Sequence, residues 1–174
     1  MASGQFVDPQ TLLRVAPLIT STASLVIAGD SHLFLSSFIS LAPQRPQQVA
    51  ELAPRYFEAF FWRGLPAIFA SYGPSVALGA TNAWHYYSRT SPGPSPASWA
   101  WYAGGTALAL AHYAFVPKIM WKVKDAIDAK DVKEIDGVQA IRGWLDVHHV
   151  RMALVDIPAW TCFLIATLKS LKSI

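Results

Sequence analysis

The chain has 174 residues, enough for one domain, and 53% of them are apolar while only 14% are charged, well under the roughly 25% charged residues of an ordinary soluble protein. Mean hydropathy is +0.30, and the net charge of +3 comes from scattered lysines rather than a basic block, which leaves nucleic-acid binding without support. A single cysteine, Cys162, excludes an internal disulfide and any dithiol redox pair.

Residues 1–10 lack a positively charged lead, and the apolar run after them is too long for a signal h-region, so no cleavable leader is expected. Four stretches then supply the roughly 20 mainly apolar residues that a bilayer crossing needs. The first covers about 12–41, and the proline-rich polar stretch "APQRPQQVAELAPR" after it reads as a loop. The second covers 57–87 and ends in "NAWHYY"; "SRTSPGPSPAS" follows as a second loop. The third covers 98–120, opening with the aromatic "SWAWY", and both aromatic strings suit a membrane–water boundary. Next, "KVKDAIDAKDVKEIDG" alternates charge at helical spacing, with Lys124/Asp128 and Lys130/Glu134 four apart, and is expected to be a solvated helical extension ending at Gly137. The fourth stretch covers 144–168. The expected architecture is a single all-α domain over 1–174, an integral membrane four-helix bundle running up-down-up-down.

With four spans both termini share one side, and the first and third loops share the other. That loop side collects Arg45, Arg55, Lys118, Lys122, Lys124, Lys130, Lys133 and Arg142, against Arg14, Arg89, Lys169 and Lys172 opposite. The positive-inside bias makes the loop side cytoplasmic; the expected location is the endoplasmic reticulum or another endomembrane.

Depth along each helix follows from the rise of about 1.5 Å per residue. Asp30 and His32 fall in the loop-side half of the first span, Glu58 and Arg63 near the start of the second, His112 about two turns before the end of the third, and His148, His149, Arg151 and Asp156 in the first half of the fourth. A charge at mid-bilayer costs at least about 2.5–3.5 kcal/mol, so such groups face the bundle interior or water, pair, and mark function. Four helices bearing this cost in one leaflet point to a shared polar cavity.

Helical periodicity orients these groups. Trp144, His148, Arg151 and Val155 share one face, with His149, Met152 and Asp156 on a neighbouring stripe. His32 shares its face with Ser21, Ser24, Ala28 and Ser36, small residues that let membrane helices approach closely; Asp30 lies about 200° away and needs another partner. Gly104, Gly105 and Ala109 lie on the face of His112, and Ala59, Pro66, Ala67 and Ala70 on that of Arg63. Each group also has a plain structural reading: Glu58 with Arg63 as an interfacial ion pair, His149 and His85 as inert interfacial residues, Lys118 as a snorkelling side chain, Cys162 as a small apolar residue, and His32 or His112 as packing residues.

The stretches "YFEAFFWRGLPAIFA", "VPKIMWKVKDAI" and "WLDVHHVR", above all the Trp144-x-x-x-His148-x-x-Arg151 pattern, resemble the anthrone oxygenase family of small integral membrane proteins of fungal polyketide pathways. The third span keeps Pro117 but lacks the asparagine-rich sequence that often follows in that family. The resemblance implies oxidation of an anthrone to an anthraquinone with dioxygen as co-substrate and no metal or flavin. His148 would be the general base and Arg151 the oxyanion stabiliser. His32, His112 or Asp30 would orient the base or relay its proton, and Asp156 and Glu58 would be counterions for Arg151 and Arg63. Trp144 and the second span's phenylalanines would stack on a flat, hydrophobic aromatic substrate, which could enter sideways from the lipid bilayer. The same pocket would suit a cofactor-free cyclase, isomerase or epoxide hydrolase. A different class, a redox protein, would use His32, His112 and His148 as haem or copper ligands; a transporter subunit would need several copies in a homo-oligomer.

Overall fold

The computed structural model describes residues 8–88, 98–132 and 136–171, and every regular element among them is helical. Six helices, α1 (Pro9–Ile39), α2 (Pro46–Tyr87), α3 (Ser98–Ala111), α4 (Val116–Asp128), α5 (Gly137–Arg151) and α6 (Ile157–Ser170), form four rods. A 3₁₀ turn, His112–Phe115, joins α3 to α4, and a π turn, Met152–Asp156, joins α5 to α6.

Asp8 starts α1 by accepting from the backbone N–H groups of Gln10 and Thr11, with Pro9 in the first turn, where its missing donor costs nothing. Pro17, inside the helix, cannot donate to the carbonyl of Leu13. Asn82 of α2, fully buried, supplies the lost bond, its Nδ2 lying 2.7 Å from that oxygen. Thr20 and Ser75 meet halfway along at 2.9 Å, and Phe38 stacks on Tyr56 further on, so α1 and α2 run antiparallel. Tyr86 against Tyr102 and Glu58 against Lys130 set α2 antiparallel to the third rod; Tyr102 against Ser170 and His112 against Asp156 do the same for the fourth. Helix α6 also packs on α1, closing the bundle.

Three expectations change. The segment 42–55 is not all loop, because α2 begins at Pro46. Proline is tolerated in a first turn, and Val49, Ala53, Pro54 and Phe57, three or four residues apart, bury a face against α4 and α5. The charged extension stops at Asp128 rather than Gly137. Gly137 instead opens α5 under an Asp136 cap, and a Cβ there would lie 2.7 Å from Pro54, so glycine permits the close crossing. Finally, α1 and the α5–α6 rod alone among the described residues are both long and apolar enough to cross a membrane, where four spans were expected; the third rod is interrupted by its 3₁₀ turn, one residue before Pro117 enters the next helix. The Lys124–Asp128 pair forms. Glu134 and the loop 89–97 lie outside the described residues.

The core has two apolar layers. One gathers Leu35, Phe57, Val123, Ile141 and Trp144 near the α1–α2 connection; the other gathers Tyr102, Ala109, Phe163 and Ala166. Between them the bundle is polar, with buried Ser24, Ser71, Ser75, His112, His148, Arg151 and Asp156. The outer surface inverts this: Leu12, Ile19, Val26 and Leu33, seven residues apart, are all more than half exposed along α1.

Phe163 sits against the backbone of α3, and a Cβ on Gly105 would come 2.8 Å from its ring. Gly105→Ala is therefore expected to destabilise the bundle by about 1–3 kcal/mol through overpacking, read as a lower thermal midpoint of the detergent-solubilised protein; an unchanged midpoint would contradict this packing.

Candidate active site

The polar layer is organised by Arg151. Its Nε donates to Asp156 Oδ2 at 3.1 Å and its Nη2 to His148 Nδ1 at 3.0 Å. His148 in turn places Nε2 2.9 Å from the Ala28 carbonyl on α1. A carbonyl only accepts, so Nε2 carries the proton and Nδ1 offers its lone pair to the guanidinium. His112, at the 3₁₀ turn, approaches the other carboxylate oxygen with Nδ1 at 3.1 Å from Asp156 Oδ1. All four side chains are more than nine-tenths buried.

The π turn builds this arrangement. The N–H of Ile157 bonds to the carbonyl of Met152, five residues back, ahead of Pro158, which has no N–H to give. In regular α-helix Asp156 would lie about 140° around from Arg151. The wider turn brings residues five apart onto nearly one face, and Arg151 and Asp156 become an ion pair. Trp144 stacks on His148 at 4.8 Å and 15°, and Phe57 meets Trp144 edge-on, which fixes the imidazole plane.

Above the guanidinium a cleft of about 40 Å³ runs between α1, α2 and α5, room for roughly three water-sized groups. Its lining includes Ile27, Phe61, Gly64, Tyr72, Trp144 and Arg151. Tyr72 was not singled out by sequence, where it reads as one more aromatic in an apolar span. Its ring packs on His112 at 3.8 Å, and its hydroxyl lies near Asp156 but outside hydrogen-bond geometry.

The other proposed site residues lie apart from this network. His32 pairs with His149, Nδ1 to Nε2 at 2.7 Å, on the outside of α1 and α5, so His149 has a partner that the sequence did not suggest. Asp30 is exposed, on the opposite side of α1 from the buried serines. Glu58 does not pair with Arg63: it accepts from Lys130 at 2.8 Å, and that bond holds the Lys130 ammonium above the usual lysine range. Arg63 and its stripe of Ala59, Pro66, Ala67 and Ala70 are exposed, because Phe57 and Phe61 take the inward face of α2. The haem or copper reading asks His32, His112 and His148 to converge. Among the described residues no three His, Cys, Asp or Glu side chains form a metal-holding group, and both ring nitrogens of His148 are engaged.

The chain is similar to fungal proteins named epoxidases. It is 27% identical over 163 residues to Epoxidase pydX of Acremonium sp, covering 94% of this chain and 96% of that one. It is 29% identical over 161 residues to Epoxidase gkaX of Penicillium citrinum, covering 92% and 95%. Oxaleimides biosynthesis cluster protein N of Penicillium oxalicum is 25% identical over 167 residues, covering 93% and 91%. No family model matches the chain, and no solved structure matches it. These relatives carry the names epoxidase and biosynthesis cluster protein, not anthrone oxygenase.

Proposed function

We propose that this protein is a membrane-embedded oxygenase that tailors a hydrophobic product of fungal secondary metabolism, taking both electrons for dioxygen from the substrate itself. The observation that carries this reading is the buried Arg151 fork, spanning His148 and Asp156 at the head of a cleft. The outward apolar stripe of α1 and the hydroxyl-lined interior suit a bundle solvated by lipid, and the names of the relatives supply the oxidative class. An endomembrane location, with the α1–α2 connection on the cytoplasmic side, is part of the proposal.

The substrate is an enolisable ring, of which an anthrone is the type. Arg151 Nη2 turns from His148 Nδ1 to the substrate's carbonyl oxygen and acidifies the C–H conjugated with it, in an anthrone the CH₂ across the central ring. The same movement frees the Nδ1 lone pair, and His148 takes the proton. The hydrogen bond from Nε2 to Ala28 keeps the ring in the tautomer that can do so. The resulting electron-rich anion reduces dioxygen; one oxygen atom stays on carbon as a carbonyl and the other leaves as water, so a CH₂ and O₂ become C=O and H₂O without an outside reductant. Asp156 and His112 hold the guanidinium in place. The epoxidase name of the relatives favours a second reading, oxygen delivery across a C=C bond, which needs a further two-electron reductant.

Oxygen uptake by membranes carrying the protein separates the readings. One O₂ consumed per enolisable substrate, with one ¹⁸O atom from ¹⁸O₂ in the product and no added reductant, is expected. Uptake only when a reductant and an alkene are supplied would favour epoxidation. Uptake no greater than that of membranes lacking the protein, across anthrones and alkenes alike, would overturn both.

A further inference from the structure

Side chains lining the cleft beside Arg151 carry polar groups whose hydrogen-bonding capacity is not filled. The Trp144 indole N–H is buried without a partner, the Tyr72 hydroxyl is buried beside Asp156 but outside hydrogen-bond geometry, and both residues, only 5% exposed, line the cleft. Arg151 uses Nε and Nη2 within the protein, and its Nη1 has no partner among the described residues. A buried donor left unpaired is destabilising, and folded proteins keep few of them. Two at one cleft, beside a guanidinium, form a set.

The chemistry of that set is one-sided. Tryptophan and arginine can only donate. No carboxylate lines the cleft, Asp156 lying behind Arg151. The hydroxyls of Ser24 and Ser31 already donate to carbonyls of their own helix, at 3.1 and 2.8 Å. The occupant must therefore bring the lone pairs. The rest of the lining is apolar, with Ile27, Phe61 and Ile68. A cleft of about 40 Å³ takes an oxygen-bearing edge but not a ring system.

The wider part of such a molecule has a way out. Gly64 lines the cleft, is partly exposed, and a Cβ there would meet nothing within 4 Å. On the outer surfaces of α1 and α2, Val26, Leu33, Trp62 and Phe69 are exposed large apolar residues.

We infer that the cleft binds the delocalised oxyanion edge of a lipid-dissolved enol or phenol, held by the Tyr72 hydroxyl, the Trp144 N–H and Arg151, with its ring system lying outward past Gly64 between α1 and α2. This deepens the proposed function and rests on it for the substrate's arrival from lipid. Binding is separable from oxidation, because the donors act on any molecule with the right edge. Tyr72 is then the specificity residue that the sequence concealed.

The test titrates 4-nitro-1-naphthol, whose anion absorbs visible light, in detergent micelles with and without an excess of the full chain. The expected result is a phenol–phenolate midpoint at least one pH unit lower with protein than in empty micelles, a tenfold or greater preference for the anion. Tyr72→Phe is expected to reduce that preference at least threefold, and Gly64→Phe to abolish binding, each with a thermal midpoint close to that of the parent. A midpoint unchanged or raised by the parent protein would overturn the inference, as would full retention of the shift by both variants. Oxygen uptake with an anthrone alongside such a result would leave the proposed function standing; anion binding without any substrate-dependent uptake would do the reverse.

Discussion

Arg151→Met is expected to lower turnover by about two to three orders of magnitude, the usual effect of removing a preorganised donor from a developing oxyanion. It is also expected to destabilise the fold, because Asp156 would keep only His112 as partner; breaking one side of a buried ion pair costs about 3–5 kcal/mol. The two effects separate in the double variant Arg151→Met/Asp156→Leu. Replacing a buried pair with apolar residues of similar size is often neutral or better for stability, so the double variant should recover most of the lost thermal stability while turnover stays low. Recovery of oxygen uptake together with stability would mean that the pair only holds the bundle together. Arg151→Lys is no substitute for the parent residue, since an ammonium cannot present the planar fork that reaches His148 and Asp156 at once.

The second large effect is expected at His148. In His148→Gln the amide nitrogen can still donate to the carbonyl of Ala28, the anchor now provided by Nε2, but the residue has no basic lone pair. Turnover should fall by about 10²–10⁴, the range of a general base, with little change in thermal midpoint. Turnover within threefold of the parent would remove His148 as the proton acceptor and leave it as a spacer for Arg151.

The sequence carried much of this site because α-helical spacing was obeyed where it mattered first. Trp144, His148 and Arg151, at i, i+4 and i+7, are all buried on one face, and His112 reaches the same layer from the third rod. Asp156 could not be placed from spacing alone. It was assigned to the stripe of His149, and only a turn five residues wide carries it under Arg151. Glu58 and Arg63 are five apart on a regular helix and diverge, so the carboxylate finds Lys130 across 72 residues of chain. Tyr72 was hidden for another reason: an aromatic in an apolar span looks like filler until the orphaned hydroxyl is seen. The length of α2 was hidden because prolines punctuate loops, whereas here Pro46 sits in a first turn and Pro54 is covered by α5.

The π turn between Met152 and Asp156 amounts to one surplus residue in an otherwise α-helical rod. If the same residues ran as regular α-helix, everything downstream would swing by about 100° relative to α5. Phe163 would leave its seat against Gly105, and Asp156 would turn from the guanidinium. In this bundle the width of that one turn acts as a gauge that sets the Arg151–Asp156 pairing and the seating of α6 together, so losing it cannot alter one and spare the other.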